Sequence, residues 1–366
     1  MQALFAFIFN VTMQTVIIGS GSFIPCNIKT NSCFTGQCFY DDQHRLINQQ
    51  SGDIIAKFQQ ITGIAERRYV DEQMNASGMA ALAGARAIED AGIDAETIDQ
   101  VIVAHNFGDT ACNAVQGDMV PSLASRVKHK LGIKNPACVA YDLLFGCPGW
   151  LQGLIQADAF GKAGMAKTCL IIGTETLSRV IDIYDRDSMI FSDGAGAVVT
   201  VMEENGGRGI IGSKSASYAC EDIGYITMGQ PNFQLNGSAH KYLKMQGRKV
   251  YEFALKEVPA AIKNCLEQCN ADINEVKKIF IHQANEKMDE AIVERLFKLY
   301  GIKNVPQNIM PMNIQTLGNS SVATIPTLYD MVRKQQLAGH TIYDGDVIVF
   351  ASVGAGMNIN AVCYKV

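Results

Sequence analysis

The chain repeats itself once, with a period close to half its length, and this constrains its fold more than any other feature. In the first half, Ile98-Asp99-Gln100-Val101-Ile102-Val103-Ala104 follows a helical pattern that ends near Gly92. In the second, Val276-Lys277-Lys278-Ile279-Phe280-Ile281-His282 follows one that ends near Asn270, 178 positions later. Gly146-Cys147 and Gly318-Asn319 then each open a helical pattern, 172 positions apart. Finally, Cys169-Leu170-Ile171-Ile172-Gly173 corresponds to Val347-Ile348-Val349-Phe350-Ala351. Matched segments in one order at similar spacing are the mark of a duplicated unit. Strand-length apolar runs alternate with helical patterns, which predicts an α/β fold with buried strands. The expectation is two similarly folded halves, 13–205 and 206–366, joined at Asn205-Gly206-Gly207-Arg208-Gly209 about a pseudo-twofold axis. A site at their interface would draw on equivalent turns from both.

With 366 residues the chain can form one large two-lobed domain or two ordinary ones. Its charged fraction of 18% is below the usual soluble value of about 25%, which points to a well-filled interior or an oligomer interface. A net charge of −5 without a long basic run excludes nucleic acid and anionic membrane as general partners. Any anionic partner has to meet a local basic patch. The eleven cysteines are odd in number and lack paired spacing, as expected of reduced thiols in the cytoplasm. Cys33, Cys38 and His44 lack a fourth ligand and read as loop residues, not a zinc site. The apolar start, Met1 to Val11, has no basic residue or cleavage site and is too short to span a bilayer. A strand-and-turn pattern begins at Met13, so 1–12 read as an extension.

Three residues stand where chemistry is expected. Cys147 lies in Phe145-Gly146-Cys147-Pro148-Gly149-Trp150 ahead of a helical pattern. Proline suits the first helical position, so Cys147 falls at or beside the N-cap, where the positive end of the helix favours thiolate. His282 ends an apolar run, and strand ends are where α/β sheets place reactive groups. Asn319 sits in Leu317-Gly318-Asn319-Ser320-Ser321, the turn equivalent to that of Cys147. Taken singly, each is as readily a buried thiol, a core histidine or a helix cap. Together they suit acyl transfer. A thiolate takes an acyl group from a thioester, while neutral His282 and Asn319 donate hydrogen bonds to a second thioester carbonyl and stabilise its enolate. Backbone amides of Cys147 and of Ala355, in the turn Gly354-Ala355-Gly356, would hold the tetrahedral oxyanion. No metal or redox cofactor is needed. Of the other histidines, only His105 also ends a strand.

With Thr62-Gly63-Ile64-Ala65-Glu66-Arg67-Arg68, Ser192-Asp193-Gly194-Ala195-Gly196-Ala197, Lys244-Met245-Gln246-Gly247-Arg248, His282-Gln283-Ala284-Asn285 and Gly318-Asn319-Ser320-Ser321, the chain resembles β-ketoacyl-acyl-carrier-protein synthase III, within the thiolase-like superfamily, from about Met13 to Val366. The resemblance implies a thiolase-like five-layered αβαβα fold and a homodimer. It also implies decarboxylative Claisen condensation of an acyl primer, carried by coenzyme A or acyl carrier protein, with malonyl-acyl-carrier protein. The family's nucleophile maps to Cys147, and its histidine and asparagine to His282 and Asn319. Lys256 is similar to a basic position that meets the acidic carrier protein, and Arg186 to one that contacts coenzyme A. Residues 105–120 resemble a loop that crosses the dimer and shapes the acyl pocket, with Phe107, Cys112 and Met119 as candidate lining residues.

The chain departs from the family in several places. The family's Cys-Ala-Gly-Phe becomes Cys147-Pro148-Gly149-Trp150, and its glycine-rich turn reads Ser352-Val353-Gly354-Ala355-Gly356-Met357. Lys57 and Ile61 stand near the family's coenzyme A-gripping Trp and Arg, after an unusual stretch from Cys26 to Ser51. The catalytic set is intact, but these changes put acetyl-coenzyme A in question and favour a longer primer, carrier-borne as readily as not. The alternatives are a specialised ketosynthase of alkylresorcinol or polyene pigment type, or a 3-hydroxy-3-methylglutaryl-type synthase with Asp109 or Glu175 as base. Thiolytic cleavage would need a second cysteine near the C-terminal glycine turn, where none stands. A non-enzymatic scaffold would not need the three together.

Overall fold

The computed structural model describes residues 13–114, 116–204, 207–233 and 240–366. The expected extension 1–12, and residues 205 and 206 of the expected junction, lie outside them. Two large sheets organise the described chain. The first holds β1 (Met13–Phe23), β2 (Gln100–Ala104), β3 (Val139–Leu143), β4 (Thr168–Thr176) and β5 (Asp193–Glu204), in the order β1-β5-β4-β2-β3. The second holds β6 (Gly209–Ser217), β7 (Val276–Ile281), β8 (Val347–Gly354) and β9 (Asn358–Lys365), in the order β7-β8-β9-β6.

The two sheets repeat one pattern. β2 runs parallel to β4 with Val101 opposite Leu170, and β7 runs parallel to β8 with Phe280 opposite Phe350. The antiparallel pairs β4–β5 and β5–β1 recur as β8–β9 and β9–β6, which leaves β3 as the extra strand. Every residue of β4 and β8 is buried. Strands covered on both faces read as continuous apolar runs without alternation, which is why these two are the clearest in the sequence.

Helices fill the remaining layers. α2 (Ala76–Ala91) and α3 (Leu123–Lys130) cover the outer face of the first sheet, while α5 (Gly247–Gln268) and α6 (Glu286–Leu299) cover that of the second. Between the sheets lie α4 (Gly149–Lys162) and α7 (Thr324–Arg333), giving the five layers αβαβα. α2 lies close on β1 because β1 offers Gly19 and Gly21: a Cβ at either would fall 2.4 Å from a carbonyl oxygen of α2. α1 (Ser51–Thr62) stands apart beside the stretch that begins at Cys26. Arg67, fully buried, ties that stretch down by donating to the Lys29 carbonyl, Asn31 Oδ1 and the Met189 carbonyl at 3.0, 2.7 and 2.9 Å. Among the described residues no helix is long and apolar enough to cross a membrane.

The middle layer binds the sheets through one apolar cluster. Trp150 of α4 meets Phe350 of β8 edge-on at 5.9 Å, and Phe280 of β7 meets Tyr329 of α7 at 5.7 Å. Trp150 is 1% exposed and buries its whole indole between the sheets. Replacing it with alanine removes that contact and leaves a cavity, so Trp150→Ala is expected to lower unfolding stability in urea by about 3–5 kcal/mol. A loss below about 1 kcal/mol would show that the sheets are held together elsewhere.

Candidate active site

Two turns, one ahead of each middle-layer helix, meet at the junction of the sheets. The first is Gly146-Cys147-Pro148. Gly146 adopts a left-handed conformation (φ 67°), and Pro148, which has no N–H to donate, is the N-cap of α4. The expected helix start is thereby corrected: Pro148 is the cap and not the first helical residue, so Cys147 stands one position outside the helix. The second turn is Gly318-Asn319-Ser320-Ser321, with Gly318 at φ 63° and Ser321 at φ 53°. α7 starts only at Thr324, after a short 3₁₀ turn over Ser321–Ala323. Positive φ at Gly318 and Ser321 is incompatible with helix and delays its start.

The C-terminal glycine turn closes against the first. A Cβ on Gly146 would fall 2.9 Å from the Ala355 nitrogen, and one on Gly354 would fall 2.5 Å from the Cys147 nitrogen. The backbones of Gly146-Cys147 and Gly354-Ala355 therefore touch without side chains between them, which brings the Cys147 and Ala355 amides together.

Ser321 joins Cys147 to the second turn. Its hydroxyl donates to Cys147 Sγ at 3.3 Å, and its amide donates to Asn319 Oδ1 at 2.7 Å. The latter bond orients the Asn319 amide and leaves Nδ2 as the group with which it can donate. Asn106, just beyond the end of β2, donates through Nδ2 to Ser321 Oγ at 3.2 Å and to Glu175 Oε1 at 2.8 Å. Its backbone amide also reaches Glu175 Oε1, at 2.5 Å. Ser321 and Asn106 carried no assignment from the sequence. The only signal for Ser321 was its place beside Asn319; for Asn106 there was none, since its partners are 69 and 215 residues away. A non-glycine residue held in the left-handed region costs of order 1–3 kcal/mol, and such strain gathers at functional sites.

His282 follows the end of β7, with its amide bonded to the Ala351 carbonyl at 2.9 Å. The Gln283 side chain fixes this turn by donating to the Pro311 carbonyl and accepting from the Asn313 amide. His282 is 4% exposed and its Nδ1 has no hydrogen-bond partner among the described residues. Burial lowers its pKa to about 4, so the ring is neutral at physiological pH. Burial also pushes the Cys147 thiol up to about 11; the Ser321 bond opposes this shift and the nearby Glu175 carboxyl adds to it. Cys147 thus rests as a thiol, contrary to the thiolate expected from the helix end alone. Burial raises the Glu175 carboxyl to about 8 against the two Asn106 bonds.

The other candidates separate. His105 uses both ring nitrogens within the fold, at Asp142 Oδ2 (2.9 Å) and the Gly108 amide (3.1 Å). Asp109 is occupied by Ser77 and Arg126. His44 turns to the Asn232 carbonyl. Phe107 packs on the apolar cluster that includes Phe58 and Ile190, whereas Cys112 and Met119 are exposed and line no part of the large cleft described next.

That cleft, of about 1530 Å³, opens beside the site between the 40–49 stretch, α1 and the start of α5. Ile190, Ala284 and Asn285 line it; the Ile190 carbonyl binds the Asn319 amide, and Ala284 lies two residues past His282. Arg186 lines it too, while Lys256 is exposed on α5 and paired with Glu257 at 2.8 Å.

Alkylation reports on the thiol directly. Labelling of Cys147 by iodoacetamide, mapped by peptide mass, is expected to accelerate steadily from pH 7 to 10. A plateau below about pH 8 would mean that the thiolate is already formed. Ser321→Ala removes a bond that favours thiolate, which raises the thiol pKa further and slows labelling at fixed pH roughly fivefold, or about 1 kcal/mol. Unchanged labelling would remove Ser321 from the site.

The family model for 3-oxoacyl-[acyl-carrier-protein (ACP)] synthase III matches residues 141–219, and the model for the C-terminal region of that family matches 266–366. The chain is 33% identical over 354 residues to beta-ketoacyl-[acyl-carrier-protein] synthase III of Staphylococcus saprophyticus, covering 96% of this chain and 99% of that one. It is 32% identical to the protein of the same name from Oceanobacillus iheyensis, with the same coverage. Among solved structures, 3-oxoacyl-[acyl-carrier-protein] synthase III of Aquifex aeolicus superposes with a TM-score of 0.78 at 28% identity, over 96% of this chain and 100% of that one.

Proposed function

This chain belongs to the 3-oxoacyl-[acyl-carrier-protein] synthase III family, and from that premise we propose that Cys147, His282 and Asn319 carry its reaction. The enzyme is a condensing acyltransferase of fatty acid biosynthesis, joining an acyl primer to malonyl-acyl-carrier protein with loss of carbon dioxide. The observation that most supports the assignment is the Ser321 bridge, which links Cys147 Sγ to the turn that holds Asn319.

In the first half-reaction Cys147 Sγ attacks the primer thioester, and its proton leaves with the departing thiol. The Cys147 and Ala355 amides hold the oxyanion of the tetrahedral intermediate. In the second, the malonyl thioester carbonyl lies against His282 and Asn319 Nδ2. Neutral donors suit an enolate formed by decarboxylation, because no proton has to be removed from carbon. The enolate carbon attacks the acyl-Cys147 carbonyl, the carbon–sulfur bond breaks, and the Cys147 thiolate that leaves takes a proton from water to restore the thiol. The proposal extends to the setting: a cytoplasmic homodimer of chains with halves 13–205 and 206–366, in which 105–120 crosses the dimer and shapes the acyl pocket, with Phe107, Cys112 and Met119 as candidates to line it. Exposure of Cys112 and Met119 on the single chain is what such a loop would show. Arg186 contacts the donor along the cleft, and Lys256, with 81% of its side chain exposed, docks the acidic carrier.

Cys147→Ala is expected to abolish acyl-enzyme formation, read by intact mass after incubation with acyl thioesters; acylation of another cysteine would overturn the nucleophile. His282→Ala and Asn319→Ala are expected to retain acylation and lose malonyl decarboxylation by at least about 10²-fold, the usual size of an oxyanion-donor loss. Condensation at the parent rate would remove them from the mechanism. Because burial keeps His282 neutral down to about pH 4, decarboxylation by the loaded enzyme is expected to show no acidic limb between pH 8 and 5. A limb centred near 6.5 would mean that the ring titrates as if exposed. The 3-hydroxy-3-methylglutaryl-type alternative, with Glu175 as base, separates by stoichiometry: decarboxylative condensation releases one carbon dioxide per product, proton abstraction none.

A further inference from the structure

Three of the free cysteines meet on the outer face of the second sheet, in a different layer from Cys147. Cys265 lies near the end of α5, Cys269 follows the helix as its C-cap, and Cys363 lies on β9. Residues four apart share one face of a helix, so Cys265 and Cys269 both turn toward the sheet. Cys265 Sγ reaches the carbonyl of Ala361, two residues before Cys363 on the same strand, at 3.6 Å.

A glycine makes room for a pair of thiols here. Cys363 lies opposite Gly212 of β6 in antiparallel register, and the register shifts just beyond, where Tyr364 pairs with Ile210. Residues directly opposite on such strands face the same side, with Cβ atoms about 4.5–5.5 Å apart. Gly212 leaves its half of that space empty, and Cys269 fills it. A Cβ on Gly212 would fall 2.8 Å from Cys269 Cβ and 3.1 Å from its Sγ. The Cys269 sulfur therefore stands where the cross-strand neighbour of Cys363 would be, and the two thiols interact through their side chains.

The three thiols differ in what they can do. Cys265 and Cys363 are fully buried, and Cys265, turned to a strand carbonyl, behaves as an inert core thiol. Cys269 is partly exposed, so a small solute can reach it. Its Sγ lies 3.2 and 3.4 Å from the Cys265 and Leu266 carbonyls, to which the protonated thiol donates. The Cys363 thiol and the Ala271 amide act in the opposite direction and hold Cys269 below the ordinary thiol range. A reachable thiol of this kind beside a second, buried one is the arrangement of a peroxide-sensitive pair, in which the first attacks and the second resolves.

We propose that Cys269 and Cys363 form an oxidation site, at which hydrogen peroxide converts the two thiols into a disulfide that fastens the end of α5 to β9. The inference is independent of the condensing reaction. In the first step the Cys269 thiolate attacks one peroxide oxygen, the oxygen–oxygen bond breaks, and Cys269 becomes a sulfenic acid. The departing hydroxide takes up a proton and leaves as water. In the second step Cys363 Sγ attacks the Cys269 sulfur, the sulfur–oxygen bond breaks, and the hydroxyl leaves as water with the Cys363 proton. The pair of thiols loses two electrons in all, and the peroxide is reduced to two molecules of water.

The test treats the full chain with a small excess of hydrogen peroxide at neutral pH, blocks the remaining thiols with N-ethylmaleimide in denaturant, and maps tryptic peptides without reduction. The peptide 264–277 is expected to appear joined to 335–365 and to be released by dithiothreitol. This link is expected to form at least about tenfold faster than oxidation of the exposed Cys220. Fragmentation of the joined peptides in the parent chain assigns the bond to Cys269 or Cys265, so the result does not depend on the folding of a variant. A bond to Cys265 would overturn the proposal. So would oxidation of Cys26, Cys33, Cys38, Cys112 or Cys220 while 264–277 and 335–365 stay reduced and separate. Cys265→Ala is expected to keep the link, and Cys269→Ala to lower it by at least about tenfold. A link that survives in Cys269→Ala would remove Cys269 from the site.

Discussion

The contact on which the rest depends is one of backbone on backbone, where Gly146-Cys147 meets Gly354-Ala355. No side chain separates the two turns, and a methyl group at Gly146 or Gly354 would collide with the opposing main chain. Each turn is the continuation of a central buried element: Gly354 ends β8, and Cys147 leads into α4. The packing of Trp150 and Tyr329 of the middle layer on Phe350 and Phe280 of the second sheet sets the spacing of these layers, and therefore whether these amides can converge. Interlayer packing and the meeting of the two turns are in this sense one constraint, since close-packed interiors transmit displacements instead of absorbing them.

Burial then sets the chemistry of the groups gathered there. Desolvation acts in the same direction on all three titratable side chains, against the charged form. It holds the thiol protonated, the imidazole neutral and the Glu175 carboxyl well above the ordinary range. A neutral imidazole is what a carbonyl or enolate needs from a hydrogen-bond donor. In the proposed reaction a protonated thiol, by contrast, has to be activated as the acyl group arrives. The Ser321 hydroxyl, polarised by Asn106, is the group in place to stabilise charge as it develops on sulfur. The left-handed backbone at Ser321 is held by that same arrangement, with its amide fixed on Asn319.

The chain outside this centre distinguishes the protein from a generic condensing enzyme. The stretch from Cys26 to Ser51 is anchored by buried Arg67 and brings Asp41 and Asp42 to the cleft opposite the start of α5. The cleft and the site at Cys147 are therefore lined by different parts of the chain, which approach each other at Ile190 and Ala284.

Much of this was legible in the sequence because it is local or periodic. Buried strands such as Val347–Gly354 announce themselves as unbroken apolar runs, and the duplication follows from their recurrence. Cys147, His282 and Asn319 stand out because each sits at a glycine turn or a strand end, a position that local residues specify. The exact helix starts were misplaced, since whether Pro148 is the cap or the first helical residue depends on dihedral angles that the turn acquires only when packed. Of the protonation states, the neutral His282 that the chemistry calls for agrees with its burial, but that of Cys147 was misread: proximity to a helix end suggested thiolate, and desolvation by distant segments reversed it. Asn106 was likewise beyond reach as a partner, because the hydrogen bonds that join it to Glu175 and to Ser321 span 69 and 215 residues. Sequence by itself determined which turns could carry reactive groups. The tertiary structure alone decided how those groups are solvated and bonded, because burial and hydrogen bonding depend on residues brought close only by folding.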